Sequence, residues 1–250
     1  MVGRHREASS VKGMRIVSWN CAMGYAKKRW LVEALQPDVA VLPEVSRKDI
    51  AQTDAPFKAW VGSNPHKGLG VIGFTDRSYL LHAAGRLLPW HIPFVVDGVN
   101  IVALWAHVRD KDLKYVRVTH EIVDRQADFL TSAPSLLIGD FNSNTIWDRE
   151  HPGRNHSLLV DKLHGLGLRS VHHQTEGIAH GFESTQTYFH TKKLHFGHHI
   201  DYAFLRGASA SLEIGRHEER LQYSDHMPLI LDLEPFQSTA VPAAPGSHKP

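Results

Sequence analysis

A carboxylate and an amide stand two positions apart after a short apolar run near the middle of the chain. Residues 135–138 lead through Gly139 into Asp140, Phe141 and Asn142. Because side chains alternate along a strand, Asp140 and Asn142 are predicted to point to the same side at the edge of a sheet. A carboxylate can bind a hard cation there, and an amide can hydrogen-bond a phosphate oxygen. These are also ordinary turn residues, so a structural turn is the alternative.

Other apolar segments carry polar residues that could join the same chemistry. Three of them run into Asn20, Glu44 and His107, and a fourth carries Asp201 near its start. A fifth segment, Ser-Asp-His-Met-Pro at residues 224–228, opens the last apolar run. An aspartate-histidine pair directly before an apolar strand is seldom needed for structure alone. The set therefore indicates a polar site assembled from several strand ends.

Taken in order, these segments resemble the motifs of the endonuclease/exonuclease/phosphatase superfamily, which includes deoxyribonuclease I, exonuclease III and the sphingomyelinases. The resemblance extends from about residue 14 to residue 234. It implies a four-layer α/β/β/α sandwich, in which two mixed β-sheets pack face to face, helices lie outside and the site lies at one end. It also implies a metal-dependent phosphoesterase that uses Mg²⁺ or Mn²⁺, which favour carboxylate, carbonyl and water ligands.

The resemblance assigns a metal-binding role to three residues. Glu44 corresponds to the family's metal-binding glutamate, and here Pro43 precedes it. Asn20 is expected beside the same ion, and Asp225 is expected to contribute to the metal site. From the residues alone, Glu44 could equally be a solvated carboxylate at a strand end, and Asn20 could form a turn.

The resemblance also assigns catalytic roles to Asp140, Asn142 and three further residues. His226 is expected to act as a base toward the attacking water or as an electrostatic stabiliser, since imidazole titrates near neutrality. Asp201 matches the carboxylate that orients this histidine. His107 is expected to donate a proton or a hydrogen bond to the phosphate. A histidine here is typical of deoxyribonuclease I and many phosphatases and departs from the abasic-site branch.

Weaker signals surround this set. Arg109 could reach a phosphate oxygen, and Asn144 could line the substrate groove, although surface and loop roles explain both residues equally well. Residues 172–199 are rich in histidine. Without paired cysteines they do not fit a structural zinc motif, and only opportunistic binding of transition metals is left open.

Composition and patterning are typical of one soluble domain. The chain has 250 residues, 42% of them hydrophobic, and a formal net charge of +2 that does not by itself indicate a polyanionic partner. It lacks an apolar run of about 20 residues that could span a bilayer, and residues 1–13 lack the apolar region of a secretory signal. Cys21 is the single cysteine, which excludes an internal disulfide. We therefore expect a cytoplasmic monomer.

Helical spacing predicts three helices, at residues 27–35, 114–130 and 157–166, with Trp30 on the apolar side of the first and Gly167 ending the last. Strands are predicted between them, which indicates a mixed-sheet α/β domain at 14–234. Residues 1–13 and 235–250 lack hydrophobic periodicity and are predicted to be flexible.

The sequence thus predicts a metal-dependent phosphoesterase, with nucleic acid as the favoured, sequence-independent substrate. The first alternative is a hydrolase of a small phosphate ester, such as a phospholipid headgroup, a sugar phosphate or a nucleotide. A catalytically silent binding module is the second, and the retained pair Asp225 and His226 argues against it. A basic groove with stacking aromatic residues would favour nucleic acid, and a closed, deep pocket would favour a small ester.

Overall fold

A computed structural model of the chain describes residues 9–82, 90–107 and 115–238. The predicted α/β/β/α sandwich is confirmed, because two six-stranded mixed sheets pack face to face between layers of helices. The strands, in chain order, are β1 (Ser9–Val11), β2 (Met14–Ser18), β3 (Val39–Val45), β4 (Phe57–Asn64), β5 (Lys67–Gly73), β6 (Tyr79–Leu81), β7 (His91–Val96), β8 (Val99–Trp105), β9 (Ser135–Asp140), β10 (Arg169–Ser170), β11 (Tyr188–Phe189), β12 (Gly197–His198), β13 (Asp201–Arg206), β14 (Ala210–Ile214), β15 (Leu229–Leu233) and β16 (Phe236–Ser238).

The α-helices are short, with one exception of 17 residues. They are α1 (Arg29–Glu33), α2 (Arg47–Ala51), α3 (Val116–Ser132), α4 (His156–Gly165), α5 (Val171–Glu176) and α6 (His217–Arg220). Short 3₁₀-helices span Tyr25–Lys27, Thr145–Glu150, His190–Lys192 and Leu194–Phe196.

Strand direction places the polar strand ends together. One sheet has the order β14-β15-β2-β3-β5-β4, and the other has the order β10-β13-β9-β8-β7-β6. Most neighbouring strands are antiparallel, but β2 with β3 and β8 with β9 are parallel. The carboxyl ends of parallel neighbours meet at one edge, so Asn20 and Glu44 follow neighbouring strands of the first sheet. His107 and Asp140 do the same in the second.

The main core lies between the sheets, where strands of both sheets contribute alternate side chains. Ile16, Val71, Phe94 and Ile138 are fully buried there. On the outer faces, α3 and α4 cover the second sheet, while α1 and α2 cover the first. Each sheet therefore has both faces buried, which explains the near-continuous apolar runs in β3 and β8.

The predicted helices are present with shifted bounds. Helix α3 begins at Val116, and residue 114, where the prediction began, lies outside the described residues. Gly167 does follow α4 with a φ of 81°. The first helix is only five residues long, and the expectation that Trp30 is buried is wrong. Trp30 is 55% exposed and meets Tyr223 edge-on, because so short a helix buries only Leu31 and Val32.

The predicted domain bounds omit a pair of terminal strands. Strand β1 pairs antiparallel with β16, with Ser10 opposite Gln237, so the ordered backbone extends past both ends of the predicted domain. None of the described helices is both long and apolar enough to cross a lipid bilayer.

Candidate functional site

The site is built first on a close approach between β8 and β9. Gly139 has a φ of 148°, and a Cβ atom at this position would lie 1.9 Å from the carbonyl oxygen of Leu104. Only glycine fits such a contact, since any side chain would collide with backbone. This approach brings the next residue, Asp140, to the end of β9 with its side chain fully buried.

Asn142 meets Asp140 through a tight turn. Its φ of 47° lies in the left-handed region, so the strand does not continue to this residue as the alternation argument assumed. The backbone N–H of Asn142 donates to Asp140 Oδ1 at 2.9 Å, and its Nδ2 donates to Asp140 Oδ2 at 2.9 Å and to the Ala106 carbonyl at 3.0 Å. A rare backbone conformation held by three hydrogen bonds is typical of functional sites.

Asn20, Asp201 and His226 complete a buried cluster around Asp140. Asn20 Nδ2 donates to Asp140 Oδ2 at 3.0 Å and lies 3.4 Å from His226 Nε2. Asp201 stands directly opposite Asp140 in the pairing of β13 with β9. Its Oδ2 accepts from His226 Nδ1 at 2.9 Å. One imidazole is thus held between two carboxylates, with Nε2 3.9 Å from Asp140 Oδ2.

Three residues that sequence reasoning did not single out hold this cluster in place. Ser224 Oγ donates to the Asn20 carbonyl at 2.7 Å and accepts from the His226 backbone N–H at 3.1 Å. Trp19 Nε1 donates to the His226 carbonyl at 2.8 Å. Thr187 Oγ1 accepts from the backbone N–H of Asp201 at 3.0 Å. Only Ser224, adjacent to the aspartate-histidine pair, carried a signal in the sequence.

Burial sets the electrostatics of the cluster. It raises the pKa of the Asp140 carboxyl above its ordinary value, and the nearby His226 opposes that rise. Burial by itself would lower the pKa of His226, but the charges of Asp201 and Asp140 raise it. Two carboxylates sharing one imidazole stabilise positive charge, whether it is a proton or a metal ion.

Glu44 lies at an irregularity in the first sheet. The register between β3 and β5 shifts between Pro43 and Val45, and Glu44 has a φ of 61°. Such a bulge redirects one side chain out of the regular alternation. The half-buried carboxylate pairs with Lys67, whose Nζ lies 3.1 Å from Glu44 Oε2. Lys67 is a fourth residue that the motifs did not assign.

His107 lies just after β8, beside Lys67 and Glu44. Its ring stacks on Trp105 with centroids 4.5 Å apart, and Lys67 Nζ lies 5.6 Å from the centroid of the same tryptophan. Burial lowers the pKa of His107, Lys67 lowers it further and Glu44 opposes them. The half-buried imidazole therefore favours its neutral form, in which one ring nitrogen donates a hydrogen bond and the other accepts one.

Asp225 lies between the buried cluster and the surface. Its backbone carbonyl accepts from the Phe189 N–H at 2.7 Å. Within the described part of the chain, its half-buried carboxylate has neither a hydrogen bond nor an ion pair. An unpaired carboxylate beside two others fits a site that takes a cation.

The two residues predicted to contact substrate have different outcomes. Arg109 lies outside the described residues. Asn144 is only 3% exposed, and its Nδ2 donates to the His199 carbonyl at 2.9 Å and to both carboxylate oxygens of Glu183 at 3.2 Å. Its Oδ1 caps the 3₁₀-helix that begins at Thr145. The expectation that Asn144 lines a substrate groove is therefore not supported, because its amide is committed to internal hydrogen bonds.

The donor set fits a hard divalent cation. Asp140, Asp201 and His226 offer ligand atoms within 4.8 Å of one another. Asn20, Glu44 and Asp225 add amide and carboxylate oxygens at the same end of the sandwich, and Cys21 is turned away into the core. Carboxylate and amide oxygens without thiolate favour Mg²⁺ or Mn²⁺ over softer metals.

Fold and site together define a hydrolytic phosphoesterase of the two-sheet sandwich type. The model of the Endonuclease/Exonuclease/phosphatase family matches residues 17–226. The chain therefore belongs to this family of hydrolytic phosphoesterases, whose members generally use divalent metals.

Solved structures support the same fold. The 3′ phosphatase from Neisseria bound to a product DNA hairpin superposes with a TM-score of 0.64 at 16% identity, over 88% of this chain and 99% of that one. The endonuclease domain of TRAS1, a telomere-specific retrotransposon, superposes with a TM-score of 0.65 at 14% identity, over 89% of this chain and 98% of that one.

A curated protein is also similar over part of the chain. The deoxyribodipyrimidine photo-lyase of Potorous tridactylus is 30% identical over 138 residues, which is 52% of this chain. The match spans only 25% of that protein's length.

Proposed function

We propose that the chain is a divalent-metal-dependent phosphodiesterase that hydrolyses nucleic acid without sequence preference. The observation that carries the proposal is an exposed aromatic and basic hairpin beside His226. Strands β11 and β12 form this hairpin, which we call the 188–198 hairpin. Single-stranded nucleic acids bind to surfaces that combine cationic and aromatic side chains.

The hairpin begins at the buried cluster and extends to solvent. Tyr188 forms an isolated bridge with His226, and their ring centroids lie 4.7 Å apart. Farther out, Phe196 is 46% exposed, His195 packs against it with centroids 4.2 Å apart, and Lys193 Nζ lies 6.0 Å from its ring centroid. A polynucleotide phosphate at His226 would thus leave neighbouring bases and phosphates within reach of stacking and cationic groups.

Each member of the cluster has a proposed task. Asp201 orients the imidazole of His226 through Nδ1, so that Nε2 faces Asn20 and Asp140. His226 then either takes a proton from the attacking water, with Asp140 stabilising the imidazolium so formed, or stands as a cation beside the phosphate. Asn142 holds Asp140 in place through both of its N–H donors.

The remaining residues serve the metal and the leaving group. Glu44, Asp225 and Asn20 would hold Mg²⁺ or Mn²⁺, which supplies neutralisation of phosphate charge and activation of water when bound. His107 is held by Trp105 at the same end of the sandwich and would donate to a phosphate or leaving oxygen. The two structures of relatives described above, one of them bound to DNA, support nucleic acid as the substrate.

In the experiment, the purified chain is incubated either with Mg²⁺ or Mn²⁺ or with chelator, and its activity is measured on parallel panels of substrates. These panels are supercoiled DNA, single-stranded DNA, RNA, 3′-phosphorylated DNA and small phosphate esters. We expect cleavage of nucleic acid that stops with chelator and returns with added metal. Glu44→Gln should abolish most of it, and Glu219→Gln, which removes an exposed carboxylate, should not.

The hairpin is tested by a second pair of variants. Phe196→Ala with Lys193→Ala should raise the KM for nucleic acid and leave turnover of a small ester unchanged. Lys48→Ala, at an exposed position in α2, is the matched control. Efficient hydrolysis of a small ester together with no cleavage or salt-dependent binding of nucleic acid would replace this proposal with the small-ester alternative. Full activity in excess chelator would contradict the metal requirement.

A further inference from the structure

A second cluster of metal-ligating side chains lies outside the site described above. Helix α5 presents His173 to the interior, and the chain turns at Gly177 and returns through His180 and Glu183. Ligand atoms of these three residues lie within 4.8 Å of one another. The side chains of His173 and Glu183 are 7% and 4% exposed, so the cluster is part of the interior. We call it the 173/180/183 cluster.

Both ring nitrogens of His173 have polar partners, which orient the ring toward the Glu183 carboxylate. Its Nδ1 lies 2.7 Å from Ser170 Oγ, and its Nε2 lies 2.9 Å from Glu183 Oε1. A hydrogen bond on the remote nitrogen is how proteins fix the tautomer and direction of a metal-binding histidine. Ser170 thus leaves His173 Nε2 as the atom that faces the centre of the cluster.

His180 has two buried ring nitrogens that the described residues leave without a partner. Its ring stacks on His173 with centroids 3.6 Å apart and an interplanar angle of 14°. A further unpartnered nitrogen, Nε2 of His156, belongs to a ring 5.4 Å from that of His180. Buried polar atoms are rarely left unpaired, and a neutral imidazole always has one nitrogen with a free lone pair, so His180 has an unused lone pair that a positive partner could accept.

A surface cavity borders two of the three residues of the cluster. This cavity of about 310 Å³ is lined by Ser170, His173, Gln174, Ile178 and His180, among others. Its volume is ample for a hydrated ion, since one water needs about 30 Å³. A ligand could therefore reach the two imidazoles without unfolding of α5.

We propose that His173, His180 and Glu183 form a binding site for a first-row transition-metal ion, with Zn²⁺ as the expected species. Two imidazole nitrogens and one carboxylate are a common ligand set for zinc and a poor one for Mg²⁺ or Ca²⁺. Binding would release the proton on His173 Nε2 to solvent, and the His180 ring, which now stacks on His173, would have to turn so that both imidazoles and Glu183 could hold the ion. Three protein ligands leave a fourth position for water on the side of the cavity.

The proposed ion would act on structure and not on phosphate chemistry. Glu183 accepts hydrogen bonds from the Gly181 N–H at 3.0 Å and from Asn144 at 3.2 Å. Asn144 lies two residues after Asn142, and its side chain caps the following 3₁₀-helix. The ion would therefore fasten α5 and residues 177–183 to the segment that follows β9.

The test counts bound zinc in the full chain. Metal-free protein is dialysed against Zn²⁺ in the presence of excess Mg²⁺, so that Mg²⁺ competes with Zn²⁺ for the Asp140 cluster. Bound zinc is then measured by elemental analysis. We expect one equivalent in the wild type and in His226→Ala. His180→Ala and Glu183→Gln should bind zinc at least about 10-fold more weakly than the wild type, and Ser170→Ala about 10- to 100-fold more weakly. His195→Ala, which removes an exposed histidine, should bind zinc as tightly as the wild type does.

A second readout needs no variant and so does not depend on their folding. X-ray absorption of the zinc-loaded wild type should show two imidazoles and oxygen, and Zn²⁺ at a hundredfold excess over its Kd should raise Tm by about 5–10 °C. The inference is overturned if no zinc is retained, or if the absorption shows sulfur or oxygen alone. It is also overturned if zinc is lost in His226→Ala but kept in His180→Ala.

Discussion

The Asp140 cluster and the 173/180/183 cluster use the same two residue types in opposite proportions. In the first, two carboxylates share one imidazole, and their charges raise the pKa of His226 against the effect of burial. In the second, histidines outnumber the single carboxylate. Burial there, reinforced by neighbouring histidines, lowers the pKa of His180 to about 2. The ratio of carboxylate to imidazole decides whether a buried histidine is a cation or a neutral group that can bind a metal.

This difference also separates the metals that each cluster should prefer. An excess of carboxylate oxygen suits a hard cation and a reaction that develops charge on phosphate. An excess of neutral imidazole suits a borderline transition metal with no need for substrate nearby. The Asp140 cluster is therefore expected to serve chemistry and the 173/180/183 cluster to serve structure.

The largest effect is expected from His226, and almost none from His180. His226→Ala should lower turnover on nucleic acid by on the order of 10²–10⁴, as loss of a general acid-base group does. His180→Ala, assayed in Mg²⁺ at a temperature where it is folded, should keep turnover close to that of the wild type. Steady-state kinetics on one substrate measures both. Equal losses in the two variants would remove the division between the clusters.

The backbone beneath the clusters should respond differently to the addition of a methyl group. Gly139→Ala places Cβ 1.9 Å from the Leu104 carbonyl oxygen and should lower the free energy of unfolding by more than about 3 kcal/mol. Gly177→Ala is the matched control beside the second cluster. It also has a positive φ, 65°, but meets nothing within 4 Å, so only about 1–2 kcal/mol should be lost.

Urea unfolding of both variants at one temperature checks the difference between them. Similar stabilities would show that β8 and β9 can separate without loss, and that the Asp140 cluster is not held as rigidly as its geometry indicates.

Acid should destabilise the protein through its neutral histidines. Burial lowers the pKa of His156 to about 3, from about 6.5 in an unfolded chain. The unfolded state therefore binds an extra proton as pH falls below about 6.5, and stability is lost from there toward pH 3. One such group changes the free energy of unfolding by about 1.4 kcal/mol per pH unit.

His156→Gln should remove the contribution of His156 to the pH dependence of the free energy of unfolding. The comparison is made by urea unfolding of wild type and variant at several pH values between about 7 and 4.5, with chelator present so that no metal competes for the histidines. If the wild type and the variant had identical slopes, His156 would be protonated in the folded protein, which would contradict the neutral state inferred for this histidine.

The smallest effect concerns the lysine that neutralises Glu44. Lys67→Met removes a partly exposed ion pair, worth about 0.2–1 kcal/mol. Because the ammonium competes with a metal for the same carboxylate, the half-saturating Mg²⁺ concentration should fall by about 1.5- to 5-fold. Metal titrations of activity separate this effect from any change in turnover. A higher half-saturating concentration would show that Lys67 supports metal binding instead of opposing it.

Strand-end motifs were enough to predict the fold. Each motif joins an apolar run to one polar residue, and the order of motifs along the chain matches that of the family. Because both faces of each sheet are buried, the apolar runs were readable without structure. Local features with weaker constraints were predicted less well. Trp30 was placed on the wrong side, since helix periodicity says little about a helix of five residues.

The site shows the same limit at the level of single residues. Asp140 and Asn142 were identified from their spacing, but their contact depends on a left-handed backbone that strand alternation does not predict. Asn144, two residues farther on, looked equivalent in sequence and is instead an internal capping residue. The contacts of Lys67 and Thr187 were not predicted, because they depend on residues 23 and 14 positions away, respectively.

Strand and helix periodicity in the sequence determined a mixed-sheet α/β domain. Its short motifs determined the residue types of the Asp140 cluster and carried the resemblance that implied the family and the two-sheet architecture, because such patterns are local properties of the chain. Only the tertiary structure decided which histidines of the described residues favour the charged form, which favour the neutral form and which meet a carboxylate. His226 and His180 are the same residue in the sequence. They differ because the protonation and ligand preference of an imidazole are set by burial and by charges that only folding brings within a few ångströms.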